Sequence, residues 1–152
     1  QFKKGSAGMK VLNEMKITFP SKSVNEGYAR LAVAAFASQL DPPVDELADV
    51  KTAVSEAVTN CIVHAYPDRV GKIEICARIF EGGEFYVKVK DWGCGIEDVK
   101  KAMEPLFTTC KNGERAGLGF AVMESFMDKL SVRSKLGKGT CVVMKKKFSQ
   151  RG

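Results

Sequence analysis

Histidine is almost missing from this 152-residue chain: His64 stands alone, and Trp92 is the one tryptophan. The cysteines, Cys61, Cys76, Cys94, Cys110 and Cys141, are odd in number, and no two form a C-x-x-C pair. Zinc sites need clustered Cys and His ligands, so a structural zinc does not fit. A disulfide framework does not fit either, and a reduced, cytoplasmic chain is expected. No run approaches the roughly 18 apolar residues of a membrane span, and no secretory signal opens the sequence. Internal repeats and low-complexity segments are absent. So is the phosphate loop G-x-x-x-x-G-K-[ST]. The G-x-G at Gly93 fails the dinucleotide fingerprint, because position 98 is Asp98.

What is present is ordinary globular composition. Hydrophobic residues make up 45% and charged residues 28%, which excludes a disordered or fibrous chain. The length fits one domain that buries about two-thirds of its unfolded surface. Twenty-four Lys and Arg against 18 Asp and Glu give a net charge of +6. That charge favours anionic partners: nucleotides, nucleic acid or an acidic protein face. Residues 1–8 lack periodicity and read as an expression remnant, with Met9 as the start and 9–152 as a single domain.

The pattern then reads as follows. Val11 to Phe19 is a strand. Ser23-Val24-Asn25-Glu26 matches the S-x-x-E capping box and opens a helix to about Leu40, ended by Asp41-Pro42-Pro43. A second helix runs from Val44 to about Tyr66, with Val50, Ala53, Val54, Ala57, Val58, Cys61, Ile62 and Ala65 on one face. Strands at residues 73–79 and 85–90 flank a hairpin turn at Glu81-Gly82-Gly83-Glu84. A short helix from about Glu97 to Met103, a long loop from Glu104 to Arg115 and a helix from Gly117 to Met127 follow. Long loops of this kind tend to be functional lids. Strands from Leu130 to Lys135 and from Thr140 to Phe148 close the chain around Gly137-Lys138-Gly139. The expected fold class is α+β, a two-layer α/β sandwich with a mixed, mostly antiparallel sheet and helices on one face.

Three places carry possible chemistry. Glu56, Asn60 and His64 recur every four residues, forming a polar stripe that borders the apolar face of the second helix. A carboxylate and a carboxamide one turn apart bind a hard cation or position a water or hydroxyl; they also occur as a plain polar helix edge. Asp91-x-Gly93-x-Gly95-Ile96 ends a strand with glycines that let a flat ligand approach, and with a carboxylate able to accept from an exocyclic amine. A simple β-turn has the same composition. Arg115-Ala116-Gly117-Leu118-Gly119 stands at a helix start, where free N–H groups and the helix dipole suit phosphate. Lys111 and Arg115 add charge in the preceding loop. Cys61 and Cys94 read as fillers of variable motif positions. Cys110 sits in the loop beside Lys111 and reads as incidental.

In order, Glu56-x3-Asn60-x3-His64-Ala65, Asp91-x-Gly93-x-Gly95, Gly117-Leu118-Gly119 and Gly137-x-Gly139-Thr140 resemble the Bergerat (GHKL) ATP-binding fold. The segments Val54 to Asn60, Pro105 to Thr109 and Met123 to Asp128 are similar to the anti-sigma-F factor family of endospore-forming bacteria, sporulation serine protein kinases. The resemblance implies ATP or ADP and Mg²⁺ as cofactors. It implies Asp91 on the adenine amine with Thr140 assisting through water, Asn60 on Mg²⁺, and Glu56 as catalytic base. Gly93 and Gly95 would lie against the base, and Gly117, Leu118 and Gly119 would face the phosphates. Thr108, Thr109, Lys111 and Arg115 would belong to a lid. The implied partners are a sporulation sigma factor, met through Arg30, and an anti-anti-sigma protein with a phosphoacceptor serine, bound by a homodimer without direct nucleic-acid or membrane contact. A histidine kinase reading lacks a phosphoacceptor His outside the nucleotide motif. A gyrase-like or chaperone-like ATPase needs further domains. The Lys145-Lys146-Lys147 run reads as a solvated tail.

Overall fold

The computed structural model describes residues 8–104 and 116–150. Five strands form one sheet: β1 (Val11–Pro20), β2 (Lys72–Phe80), β3 (Glu84–Asp91), β4 (Lys129–Lys135) and β5 (Gly139–Lys147). Their order across the sheet is β1-β2-β3-β5-β4. Four helices lie between them: α1 (Val24–Ala37), α2 (Val44–Asn60), the single turn α3 (Val99–Ala102) and α4 (Ala116–Phe126). The α+β sandwich with helices on one face is as expected. One detail differs: among the described residues every strand pair is antiparallel, with no parallel pair to make the sheet mixed. Two helices separate β1 from β2 in the chain, and the two strands pair side by side in opposite directions. The other direct connections, β2–β3 and β4–β5, are hairpins.

Period-two alternation supplies the sheet's inner face. Ile73, Ile75, Ala77 and Ile79 of β2, Phe85, Val87 and Val89 of β3, and Val142 and Met144 of β5 are buried in one core. On the opposite face Lys16 pairs across to Cys76, and Cys76 to Lys88, in register. Helix α2 lies between α1 and α4. Its Val50, Val54 and Val58 are completely buried, and each contributes about 1.5–3 kcal/mol by leaving water. The small Ala53 and Ala57 on the same face let the helix sit close to its neighbours.

The helix ends depart from the sequence pattern. Ser23 has helical angles (φ −56°, ψ −32°) and makes no side-chain cap. An N-cap needs extended angles to turn its hydroxyl back onto the helix, so the capping box does not form. Glu26 instead faces Arg30, at 3.2 Å. Helix α1 stops at Ala37 and tightens into a 3₁₀ turn over Ser38–Leu40. There the Ser38 hydroxyl donates to the Ala34 carbonyl at 2.8 Å. Helix α2 ends at Asn60, and Cys61–Ala65 forms a π turn in place of the expected last α turn. The Tyr66 N–H reaches the Cys61 carbonyl at 3.1 Å, five residues back. The short third helix is trimmed to one turn, capped by Asp98, whose carboxylate accepts from the Lys101 N–H at 3.1 Å.

Candidate active site

The C-terminal half of α2, the π turn, the end of β3, the first turn of α4 and the start of β5 converge on one cleft. Asn60, Cys61, His64, Asp91, Gly95 and Thr140 are among the residues that line it. Periodicity puts Asn60 and His64 there: a stripe bordering the core face is half-buried, and Glu56, Asn60 and His64 all are.

Asp91 accepts three hydrogen bonds. It is the last residue of β3 and only 5% exposed. Its Oδ1 accepts from the Gly93 N–H at 2.9 Å and from the Thr140 N–H at 3.2 Å. Its Oδ2 accepts from the Cys61 thiol at 3.5 Å. Burial pushes the carboxyl pKa up, and these three donors pull against it. None of the ion pairs among the described residues includes Asp91. Burial, with Asp91 beside it, also pushes the Cys61 thiol well up, so the sulfur keeps its proton and donates.

The loop after Asp91 fits against the π turn. A Cβ on Gly93 would be driven into the Ala65 carbonyl, the group that accepts from the Cys94 N–H at 3.0 Å. Gly95 holds φ +76° under the Lys135 carbonyl, where any side chain would collide with β4. Both glycines are thus required by the backbone's own packing. The Tyr66 hydroxyl staples the loop to β2: it accepts from the Trp92 N–H at 2.7 Å and donates to the Lys72 carbonyl at 2.6 Å.

At the other end of the cleft, α4 begins over α2. A Cβ on Gly119 would stand 3.1 Å from both terminal atoms of the Asn60 carboxamide and 3.3 Å from Glu56 Oε2. A carboxylate, a carboxamide and the first turn of a helix therefore meet at one point. Asn60 Nδ2 there, and His64 Nδ1 elsewhere in the cleft, are buried without hydrogen-bond partners among the described residues. A phosphate oxygen would satisfy the first, leaving Asn60 Oδ1 for a hard cation that takes few protein ligands. Burial pushes the His64 pKa down.

Of the expected site residues, the structure brings together Glu56, Asn60 and Gly119, and joins Asn60 to Asp91, Gly95 and Thr140 around the cleft, while Gly93 does not line it and sits behind Asp91 against Ala65. Gly117 and Leu118 lie in the first turn of α4. Thr108, Thr109, Lys111 and Arg115, with Cys110, lie outside the described residues. Arg30 is not in the cleft. It is half-exposed on α1, and its Nη1 reaches Glu26 at 3.2 Å and the Ser55 hydroxyl at 3.5 Å. Ser55 directly precedes Glu56. Three residues escaped the pattern. Cys61 is no mere filler, since it bonds Asp91. Ser134 accepts from the Ile96 N–H at 2.7 Å and shares a 2.7 Å bond with the Thr140 hydroxyl. Tyr66 is the third.

Residues 19–146 match the family of the histidine kinase-like ATPase domain. The anti-sigma F factor of Thermoanaerobacter sp. (strain X514) is 57% identical over 91% of this chain and 96% of its own length. That of Clostridium acetobutylicum is 54% identical over 90% of this chain and 95% of its own.

The chain belongs to the anti-sigma F factor family.

As a histidine kinase-like ATPase domain it is of the nucleotide-binding, kinase type. Among solved structures, the RsbU and RsbW domains of a Mycobacterium tuberculosis protein superpose on it with a TM-score of 0.69 at 18% identity. That match covers 92% of this chain and 34% of the other. A histidine kinase domain from Erythrobacter litoralis gives a TM-score of 0.57 at 22% identity, over 82% of this chain and 62% of the other. At those identities the likeness is one of fold. No helix among the described residues is long and apolar enough to cross a membrane.

Proposed function

We propose that this chain is an ATP-dependent protein-serine kinase that also binds and silences a sporulation sigma factor, and that it phosphorylates a serine on an anti-anti-sigma protein. In this reading it acts in the cytoplasm as a homodimer, with Arg30 at the partner surface. The carrying observation is the meeting of Glu56 and Asn60 beneath Gly119 at the start of α4. Phosphoryl transfer asks for positioned charge and a base more than for covalent help, and this point offers both.

Asp91 holds the adenine amine, with Thr140 beside it. The N–H groups of the first turn of α4, at Gly117, Leu118 and Gly119, face the phosphates. Thr108, Thr109, Lys111 and Arg115, outside the described residues, complete the proposed nucleotide-binding set. Asn60 Oδ1 would hold Mg²⁺, which would supply neutralisation of phosphate charge. Glu56 takes the proton of the acceptor serine. The serine oxygen bonds to the γ-phosphorus as the bridging P–O bond breaks, and ADP leaves.

The test mixes the protein with Mg-ATP and the anti-anti-sigma partner and reads the partner's intact mass. One added phosphate on serine, lost with Glu56→Gln while ATP binding persists, is expected. An unmodified partner in the presence of bound ATP overturns the kinase reading and leaves a nucleotide-dependent sigma-binding module.

A further inference from the structure

The two oxygens of Asp91 are held differently. Oδ1 is saturated by two backbone donors, from Gly93 and Thr140. Oδ2 meets one donor among the described residues, the Cys61 thiol. A carboxylate offers about four acceptor positions, and three are taken, so the open one is on Oδ2. The torsion that carries a carboxylate is broad and nearly two-fold, so two backbone bonds to one oxygen leave the other free to tilt. The thiol removes that freedom. It comes from a residue whose place is set by the change from α to π geometry at Cys61.

We propose that Cys61 is a specificity-determining positioning residue for base recognition: its thiol fixes Asp91 Oδ2 as an acceptor aimed at the 6-amino group of a purine. The proposal rests on the reading that Asp91 binds the base. Because the thiol is a donor, the oxygen it bonds is kept as an acceptor. An acceptor at that point favours a 6-amino purine and opposes a 6-oxo purine, which presents a second acceptor. A cysteine that only fills space contributes to stability and leaves this preference alone.

The test measures the affinities of one protein sample for ATP, for inosine triphosphate and for purine riboside triphosphate, which lacks any 6-substituent. The ratios within one sample cancel any loss of folded protein. Cys61→Ala is expected to lower the preference for ATP over both analogues by about three- to tenfold, the scale of one modest hydrogen bond. Cys61→Ser supplies a stronger donor on a shorter arm and is expected to keep the preference within about twofold. An unchanged preference in Cys61→Ala, together with a lost preference in Asp91→Asn, overturns the proposal and leaves Asp91 as the base reader. A preference that survives Asp91→Asn overturns the base-binding reading itself, and the proposal with it.

Discussion

Gly119→Ala separates stability from activity. The residue lies in the first turns of α4, away from positive φ, so alanine suits the backbone. Replacing a helical glycine gains about 0.5–1 kcal/mol. The new methyl would sit 3.1 Å from the Asn60 carboxamide atoms and 3.3 Å from Glu56 Oε2. Those are ends of side chains, and they yield by about a few tenths of an ångström, the gap to an ordinary contact near 3.5 Å. The backbone does not have to move. The expected result is an unchanged or raised Tm, by about 1–4 °C for a domain of this size. Phosphotransfer should fall by about tenfold or more, since an ångström of misplacement at a reacting pair costs about a hundredfold. The assay pairs a thermal melt with initial rates of partner phosphorylation. Full activity in Gly119→Ala would refute the claim that the α2–α4 meeting point is the reacting centre. A large drop in Tm would refute the claim that only side-chain ends stand in the way.

Two further outcomes follow from the structure. Burial depresses the His64 pKa below its ordinary 6.5, so as pH falls the unfolded chain takes up that proton before the folded one does. Its contribution to stability is complete above about pH 6.5 and is lost as pH falls through the folded value; Tm measured from pH 7.5 to 5 should fall more steeply for the parent protein than for His64→Asn. Lys146 is 9% exposed and donates to the Phe126 carbonyl at 2.7 Å, with Asp49 at 3.7 Å, so it ties the end of α4 to α2. Lys146→Met keeps the stem and removes the donor, and urea denaturation should show a loss of about 1–3 kcal/mol.

The body of α2 was legible because Val50, Ala53, Val54, Ala57 and Val58 repeat with one period, and the same period, carried on into the π turn, placed Asn60 and His64 at the edge of the core. The strands were legible from strict alternation, and the glycines of the Asp91 loop from their place in an ordered set of motifs. The ends were not. A capping box is a pattern of side chains, yet whether it closes depends on the backbone angles at Ser23, set by how the chain turns out of β1. The π turn is a one-residue slip in hydrogen bonding at Cys61, with no change in composition to mark it. Cys61 and Asp91 lie 30 positions apart in the chain, and Ile96 and Ser134 lie 38 apart. Single residues at such separations carry no local signal, so Cys61, Ser134 and Tyr66 became visible as site residues only once the sheet was built.

The strand order has a consequence for the newly made protein. The chain leaves the sheet at β3 and returns at β4, and β5, which follows β4 in the sequence, lies between the two. The Thr140 N–H that steadies Asp91 therefore arrives 49 residues after the carboxylate it serves. A ribosome that has released β3 and α4 has made most of the cleft's walls but not the strand that completes it. The cleft becomes whole only when β5 is in place, so a ligand that depends on the Asp91–Thr140 pair binds only after that strand has joined the sheet.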